Sequence, residues 1–304
     1  MNNRLIKDTP LDKLFMKFNY VFLLLALVIV LYPLIYIVSA SISDPNAVNS
    51  GQMFLFPKGL TFEGYKTILN NDSIWRGYLN TIFYTVLGTS INLAVTLPCA
   101  YALSRSDFYG HKFITSFMLV TMFIGGGLIP SYLLIKNLHM LNTVWALVLP
   151  GAASIYNIVV TRTFFQSTIP REMEEAAIID GCNDFMLFFK IILPLSTPII
   201  AVMALFYGVG HWNSFFSALI YLSDKTMYPL QMVLREILVL QDMSSNSING
   251  NMTQDMAAML FSKQQLVQVI KYGVMIVSTL PVIIIYPFLQ KYFVKGMMVG
   301  SLKG

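Results

Sequence analysis

The side chains that could do chemistry are few in this sequence, and none is arranged for catalysis or metal binding. The three histidines, His111, His139 and His211, are far apart. No H-E-x-x-H pattern, cysteine cluster or phosphate-binding G-x-x-x-x-G-K-[ST] loop occurs. Cys99 and Cys182 are isolated, which predicts neither a disulfide nor a metal site. The residue types therefore argue against an enzyme and against a cofactor held by this chain.

One segment concentrates acidic residues: 170–194, PREMEEAAIIDGCNDFMLFFKIILP. Pro170 suits the first position of a helix, and three glutamates follow in the first turns, where the helix dipole favours acids. Gly181 is typical of the position after a helix ends, and Asn183 or Asp184 can cap a second helix. The pattern predicts a short helix, a glycine corner and another short helix.

This segment has two interpretations. It could be an amphipathic connector on the membrane surface, but such helices usually carry Lys and Arg on their polar face. The polar residues here are mainly acidic, and anionic lipid repels them. A protein partner is therefore the better-supported interpretation.

The rest of the chain is apolar enough to be a membrane protein. Of its 304 residues, 56% are hydrophobic and 12% charged, about half of the usual charged share. Six apolar runs are each near the length that crosses a bilayer, at 20–42, 79–103, 113–135, 144–160, 191–206 (extending to about 212) and 273–289. We expect an all-α polytopic membrane protein with six transmembrane helices.

The basic residues orient these spans. Among the short loops they concentrate on the side of the N-terminus, which predicts that both termini lie inside the cell. The predicted organisation is a cytoplasmic segment 1–19, a six-helix membrane domain 20–290 containing the acidic segment, and a cytoplasmic tail 291–304. The net charge of +5 is thus a signal of topology and does not point to nucleic acid.

The energy source for any transport must lie elsewhere. The six apolar runs contain no Asp, Glu, Lys or Arg, whereas ion-coupled transporters usually place ionisable groups at membrane depth. This disfavours a secondary transporter and, less strongly, a channel. A polytopic membrane enzyme is disfavoured by the lack of a catalytic cluster.

The acidic segment also contains one full signature, in Glu175, Ala176, Ala177, Gly181, Ile191, Leu193 and Pro194. Its spacing resembles the EAA signature of ABC importer permeases, although Cys182 stands where that family often has alanine. In that family the region forms a coupling helix docked in a groove of the cytoplasmic ATPase. The resemblance implies a type I permease fold and an ATPase contact made by the signature residues, flanked by Glu174 and Asp180.

Other stretches resemble the carbohydrate (maltose-permease-type) branch of the same family, at 56–69, 100–113, 211–231 and 290–304. Residues 125–143 resemble a subgroup for complex oligosaccharides. The resemblance implies alternating access in the cell membrane, driven by ATPase subunits that bind ATP and Mg. It also implies a second homologous permease as heterodimer partner and an extracellular or periplasmic solute-binding protein. Another solute class stays open as an alternative.

Sugar contacts are expected in the outer half of the fifth span. Sugars bind aromatic faces with a few polar groups, and this part of the chain offers Tyr207, His211, Trp212 and Asn213. The same residues could equally be aromatic residues at the membrane interface. The two interpretations carry the same weight on the sequence alone.

Overall fold

The computed structural model describes residues 9–246, residue 267 and residues 270–287. Every regular element in these ranges is helical, as the composition predicts. The helices are α1 Pro10–Ser41, α2 Pro45–Asn49, α3 Glu63–Leu69, α4 Asp72–Ser104, α5 His111–Phe123, α6 Leu128–Asn137, α7 Trp145–Val148, α8 Ile155–Thr168, α9 Arg171–Ile179, α10 Asp184–Leu195, α11 Thr197–Trp212, α12 Phe216–Tyr221, α13 Leu230–Asn246 and α14 Ile270–Pro287.

Three described helices are long and apolar enough to cross a membrane by themselves: α1, α4 and α14. Two bent pairs, α5 with α6 and α10 with α11, pass the same test when each pair is taken together. The described residues therefore contain three to five candidate spans, where the sequence predicted six. The predicted tail 291–304 and residues 1–8 lie outside the described residues.

The predicted fourth span, 144–160, is not one helix. It is divided between α7 and α8, with an irregular stretch at 149–154 that contains Pro150 and Gly151. Pro150 lacks the N–H that a continuing helix needs. Asn92 of α4 donates to the carbonyls of Gly151 (2.6 Å) and Ala152 (3.0 Å). Broken backbone is tolerated at membrane depth where protein groups satisfy it in this way.

The predicted third span, 113–135, is also interrupted. Helices α5 and α6 meet at 113° across the triple glycine that begins at Gly125. Gly127 has a φ of 83°, a conformation that favours glycine over residues with a Cβ atom. The predicted third span is therefore bent sharply at these glycines.

The chain divides into two units. In the first, residues 9–70 together with described residues of 237–277, the capping box of Thr9 and Asp12 starts α1 about ten residues before the predicted span. Most of α1 is exposed, and only its last turn is buried. A small cluster forms there around Ala40, Val48 and Met53, and Ser39 Oγ donates to the Leu55 carbonyl (2.7 Å).

The second unit, residues 71–236 with the described residues from 278 onward, is built around α4. Helix α4 packs along α8 and α11. Its C-terminal end contributes Leu97, Ala100 and Leu103 to an apolar core, together with Phe165 of α8. This core is where the acidic segment attaches.

Candidate functional site

The corner predicted in the acidic segment is present, and hydrogen bonds define its geometry. Gly181, with a φ of 82°, follows the last turn of α9. Its N–H donates to the Ile178 carbonyl (2.9 Å), and the Cys182 N–H donates to the Ala177 carbonyl (3.0 Å). These are the two bonds of a Schellman C-cap. A Cβ atom at Gly181 would meet nothing within 4 Å, so the backbone conformation, and not space, favours glycine.

The second helix of the corner, α10, begins as predicted. The Asn183 side chain caps it by accepting from the Met186 N–H (2.8 Å). Its middle, Phe188–Ile192, is a wider π turn. This turn precedes Pro194, which has no N–H to donate to the carbonyl of Lys190 four residues earlier.

Helix α10 does not continue straight into α11. The two helices meet at 80° at Ser196, whose Oγ donates to the Ile192 carbonyl (2.6 Å). Thr197 and Pro198 then start α11, with proline in its first turn. A sharp bend therefore lies between the corner and α11.

The two faces of the corner differ in exposure. Ala177 is buried in the core beside α4 and α8, and Leu193 is half-buried against the same core. The signature residues Glu175, Ala176 and Gly181 are exposed, as are Asp180 and Pro194. Ile179 is 84% exposed and Phe185 is 78% exposed on the same segment. Exposed apolar side chains rimmed by polar residues are typical of an interaction surface.

Glu174 differs from its neighbour Glu175, because it is turned toward the helix bundle. It forms an ion pair with Arg105, just past the end of α4, and the two side chains are only 12% and 13% exposed. The Arg105 guanidinium also lies over the Tyr101 ring, 4.5 Å from its centre. Burial raises the pKa of the Glu174 carboxyl above its ordinary value, and the charge of Arg105 offsets part of that rise.

The four residues predicted for sugar contact are mostly engaged within the protein. Tyr207 is buried, and its hydroxyl shares a 2.6 Å hydrogen bond with the Thr96 hydroxyl. Trp212 is buried and donates from Nε1 to the Ser278 carbonyl (2.9 Å). Asn213 alone is exposed, and its amide donates to the carbonyl of Val209 on its own helix (3.0 Å).

His211 belongs to a network centred on Asn92, a residue that sequence reasoning missed. His211 Nε2 donates to Asn92 Oδ1 (2.7 Å), and the Asn92 amide holds the irregular stretch after α7. The His211 ring packs against Gly88, where a Cβ atom would lie 2.4 Å from the ring. An asparagine inside an apolar span was the signal that could have revealed this network.

Trp212 also borders an apolar cavity of about 400 Å³ between α4, α11 and the part of α14 near Pro281. The hydroxyls of Thr85 and Thr89 are buried and have no hydrogen-bond partner among the described residues. Ser90 also lines the cavity, but its hydroxyl donates to the Val86 carbonyl of its own helix, and the other lining residues are apolar. The cavity therefore has few free polar groups that could fix a sugar. No group of metal-ligating side chains forms within the described part of the chain.

Comparisons with known proteins agree with this architecture. The family model of "Binding-protein-dependent transport system inner membrane component" matches residues 5–299. The "Polygalacturonan/rhamnogalacturonan transport system permease protein YtcP" of Bacillus subtilis (strain 168) is 39% identical over 96% of this chain and 99% of its own length. "Protein LplC" of the same organism is 39% identical over 98% and 97%.

A solved structure is similar to this chain in fold as well as in sequence. It is a bacterial ABC transporter involved in the import of the acidic polysaccharide alginate, and one of its chains matches with a TM-score of 0.83 and 33% identity. The match covers 94% of this chain and 99% of that one. The chain therefore belongs to the family of binding-protein-dependent transport system inner membrane components, and it is a membrane-embedded permease subunit of an ABC importer, not an enzyme.

Proposed function

We propose that this chain is the permease through which an ATP-driven importer moves an oligosaccharide, and that the corner between α9 and α10 docks on the ATPase. The observation that carries the docking is the exposed face of the corner. Ile179 and Phe185 are large apolar side chains left in the open beside Glu175, Asp180 and a glycine cap. A partner that covers these apolar groups would gain stability from their burial.

The proposed topology has six spans with both termini in the cytoplasm. The concentration of basic residues in the short inner loops supports it. The membrane domain then covers 20–290, with cytoplasmic segments at 1–19 and 291–304. The coupling segment 170–194 lies on the cytoplasmic side, where an ATPase can reach it.

The partners follow from the importer assignment. We infer a heterodimer with a second homologous permease, two cytoplasmic ATPase subunits, and a solute-binding protein that delivers the cargo. ATP and Mg would be bound by the ATPase subunits, because the sequence of this chain has no phosphate-binding loop. ATP binding would draw the coupling segment with it and alternate the spans between outward-facing and inward-facing states.

The cargo is proposed to be a sugar, most simply an oligosaccharide. One 39% identical relative is named for polygalacturonan and rhamnogalacturonan, and the similar solved transporter imports alginate. Tyr207, His211, Trp212 and Asn213 stay as proposed sugar contacts, although the hydrogen bonds of the first three favour a structural role. Mass spectrometry of the sugar carried by the cognate binding protein tests the cargo, and an amino acid or peptide there would contradict it.

Two substitutions test the ATPase contact. Gly181→Leu places a side chain on a left-handed backbone, which costs about 1–2 kcal/mol and disturbs the corner. Glu175→Lys reverses an exposed charge without touching the core. We expect both to abolish uptake and to reduce the ATPase recovered with a tagged permease, while membrane insertion is unchanged. Normal ATPase recovery and normal uptake in both variants would refute the contact.

A further inference from the structure

The coupling helix α9 is attached to the end of α4 as well as to its neighbours in the chain. Glu174 of α9 and Arg105 are 69 positions apart in sequence, yet they form a mostly buried ion pair. Tyr101, one turn before Arg105, supports the guanidinium with its ring face. These three side chains join α9 to the long central helix α4, in addition to the apolar contact of Ala177 with the core that α4 shares.

The end of α4 is itself held firmly by α8. Arg162 Nε donates to the Leu103 carbonyl (2.9 Å), and the Gln166 amide donates to the Ser104 carbonyl (3.4 Å). These two side chains satisfy carbonyls that the last turn of a helix leaves without partners. Arg105 therefore extends from a well-supported helix end.

The pair fixes the rotation of α9 about its own axis. Glu174 and Ala177 are three residues apart and share one face of the helix, which contacts Arg105 and the apolar core. Glu175 and Ile179, four residues apart, share another face, which is exposed. Met173 and Ala177 both pack against the core. Apolar contact of this kind is not directional, whereas a guanidinium binds a carboxylate in a defined geometry. The ion pair is thus the directional contact among those that orient α9.

A second ion pair in the same unit provides a contrast. Lys225 and Glu236 lie 3.3 Å apart, with side chains 76% and 38% exposed. Exposed pairs of this kind contribute little, because water and salt screen them. This exposed pair therefore serves as a matched control for the buried one.

We propose that Arg105, supported by Tyr101, is a positioning residue for the coupling helix. Its ion pair with Glu174 holds α9 in the rotation that presents Glu175 and Ile179, and it transmits displacement of α9 directly to α4. This inference rests on the proposed docking of the corner on an ATPase. It adds a route into the bundle that does not pass through the 80° bend before α11.

The test measures the orientation of α9 and needs no transported ligand. Spin labels are placed at two exposed positions, Glu172→Cys on α9 and Lys112→Cys on α5, with Cys99 and Cys182 replaced by alanine. Double electron–electron resonance spectroscopy then gives the distance distribution between the labels in the full permease with its ATPase subunits. The width of this distribution without further substitutions is the reference width. Arg105→Met with Glu174→Met removes both charges together, which avoids leaving one buried charge unpaired.

We expect the distance distribution to become at least twofold wider in the Arg105→Met, Glu174→Met double variant. Lys225→Met with Glu236→Met should leave the reference width unchanged. Arg105→Lys keeps the charge but loses the planar fork, so it should give an intermediate width. If the double variant does not accumulate, Arg105→Lys alone decides the outcome. The proposal is overturned if the double variant gives the reference width. If the double variant does not accumulate, the reference width in Arg105→Lys overturns it.

The outcomes separate this inference from the proposed function. If Glu175→Lys and Gly181→Leu lose the ATPase while the double variant keeps the reference width, the docking stands and the positioning role is overturned. If those two variants retain the ATPase while the double variant widens the distribution, the positioning contact is supported and the docking site is refuted. ATP hydrolysis that persists without uptake in the double variant would further support transmission to α4.

Discussion

The corner between α9 and α10 and the C-terminal end of α11 both combine apolar and polar side chains, but in opposite arrangements. At the corner, Ile179, Phe185 and Glu175 extend into the open, while the backbone is satisfied by its own cap. Near the C-terminal end of α11, Tyr207 and Trp212 are buried, and their polar atoms are hydrogen-bonded within the protein. The corner has exposed apolar surface that a partner could cover. The polar atoms of Tyr207 and Trp212, in contrast, are already hydrogen-bonded within the protein.

The difference shows how to separate surfaces that bind partners from clusters that hold helices together. Aromatic and polar residues near a span end predict a sugar site and a packing site equally well. Only their hydrogen-bond partners distinguish the two roles. By that criterion the corner is a candidate interface, and the network around Asn92 and His211 joins helices inside the membrane domain.

The largest effect should come from making the corner polar. Ile179→Asp with Phe185→Asp replaces two exposed apolar contacts by charges, and we expect at least a tenfold loss of ATPase recovered with the tagged permease. Tyr109→Asp is the matched control, because Tyr109 is 98% exposed in the loop after α4 and lies outside the corner. Full recovery in the double variant would show that this face binds no ATPase.

An intermediate effect is expected from the network around Asn92. Asn92→Leu leaves the carbonyls of Gly151 and Ala152 without their side-chain donor, and it removes the acceptor used by His211. The expected cost is about 1–3 kcal/mol, measured as a lower melting temperature of the purified permease. Ser90→Ala, an exposed position on the same helix, should melt like the reference protein. An unchanged melting temperature for Asn92→Leu would refute the structural role of this network.

The smallest effect is expected at Asn213, the one exposed member of the predicted sugar set. Asn213→Ala removes only a bond to its own helix, so stability should stay within about 0.5 kcal/mol of the reference. Uptake of the sugar identified in the binding protein should keep its half-saturating concentration. A clear rise in that concentration, with stability unchanged, would restore Asn213 as a sugar contact.

Much of the corner between α9 and α10 was predictable, because its signals are local. The position of Gly181 after α9 and the cap at Asn183 follow from the conformations and hydrogen bonds that glycine and asparagine favour. The breaks within the third and fourth predicted spans were less predictable. Apolar composition measures the length of a run, but it does not reveal that Asn92 can satisfy a broken helix 59 positions away.

By itself, the sequence determined the helical membrane class, the acidic corner and its glycine cap, because these depend on composition and on contacts within a few residues. Only the tertiary structure decided that Glu174 turns inward to Arg105 while Glu175 stays exposed, and that α10 meets α11 at an angle. It also decided that Tyr207, His211 and Trp212 bond within the protein. These outcomes depend on partners that are distant in the chain, and the hydrophobic pattern along one helix does not predict such contacts.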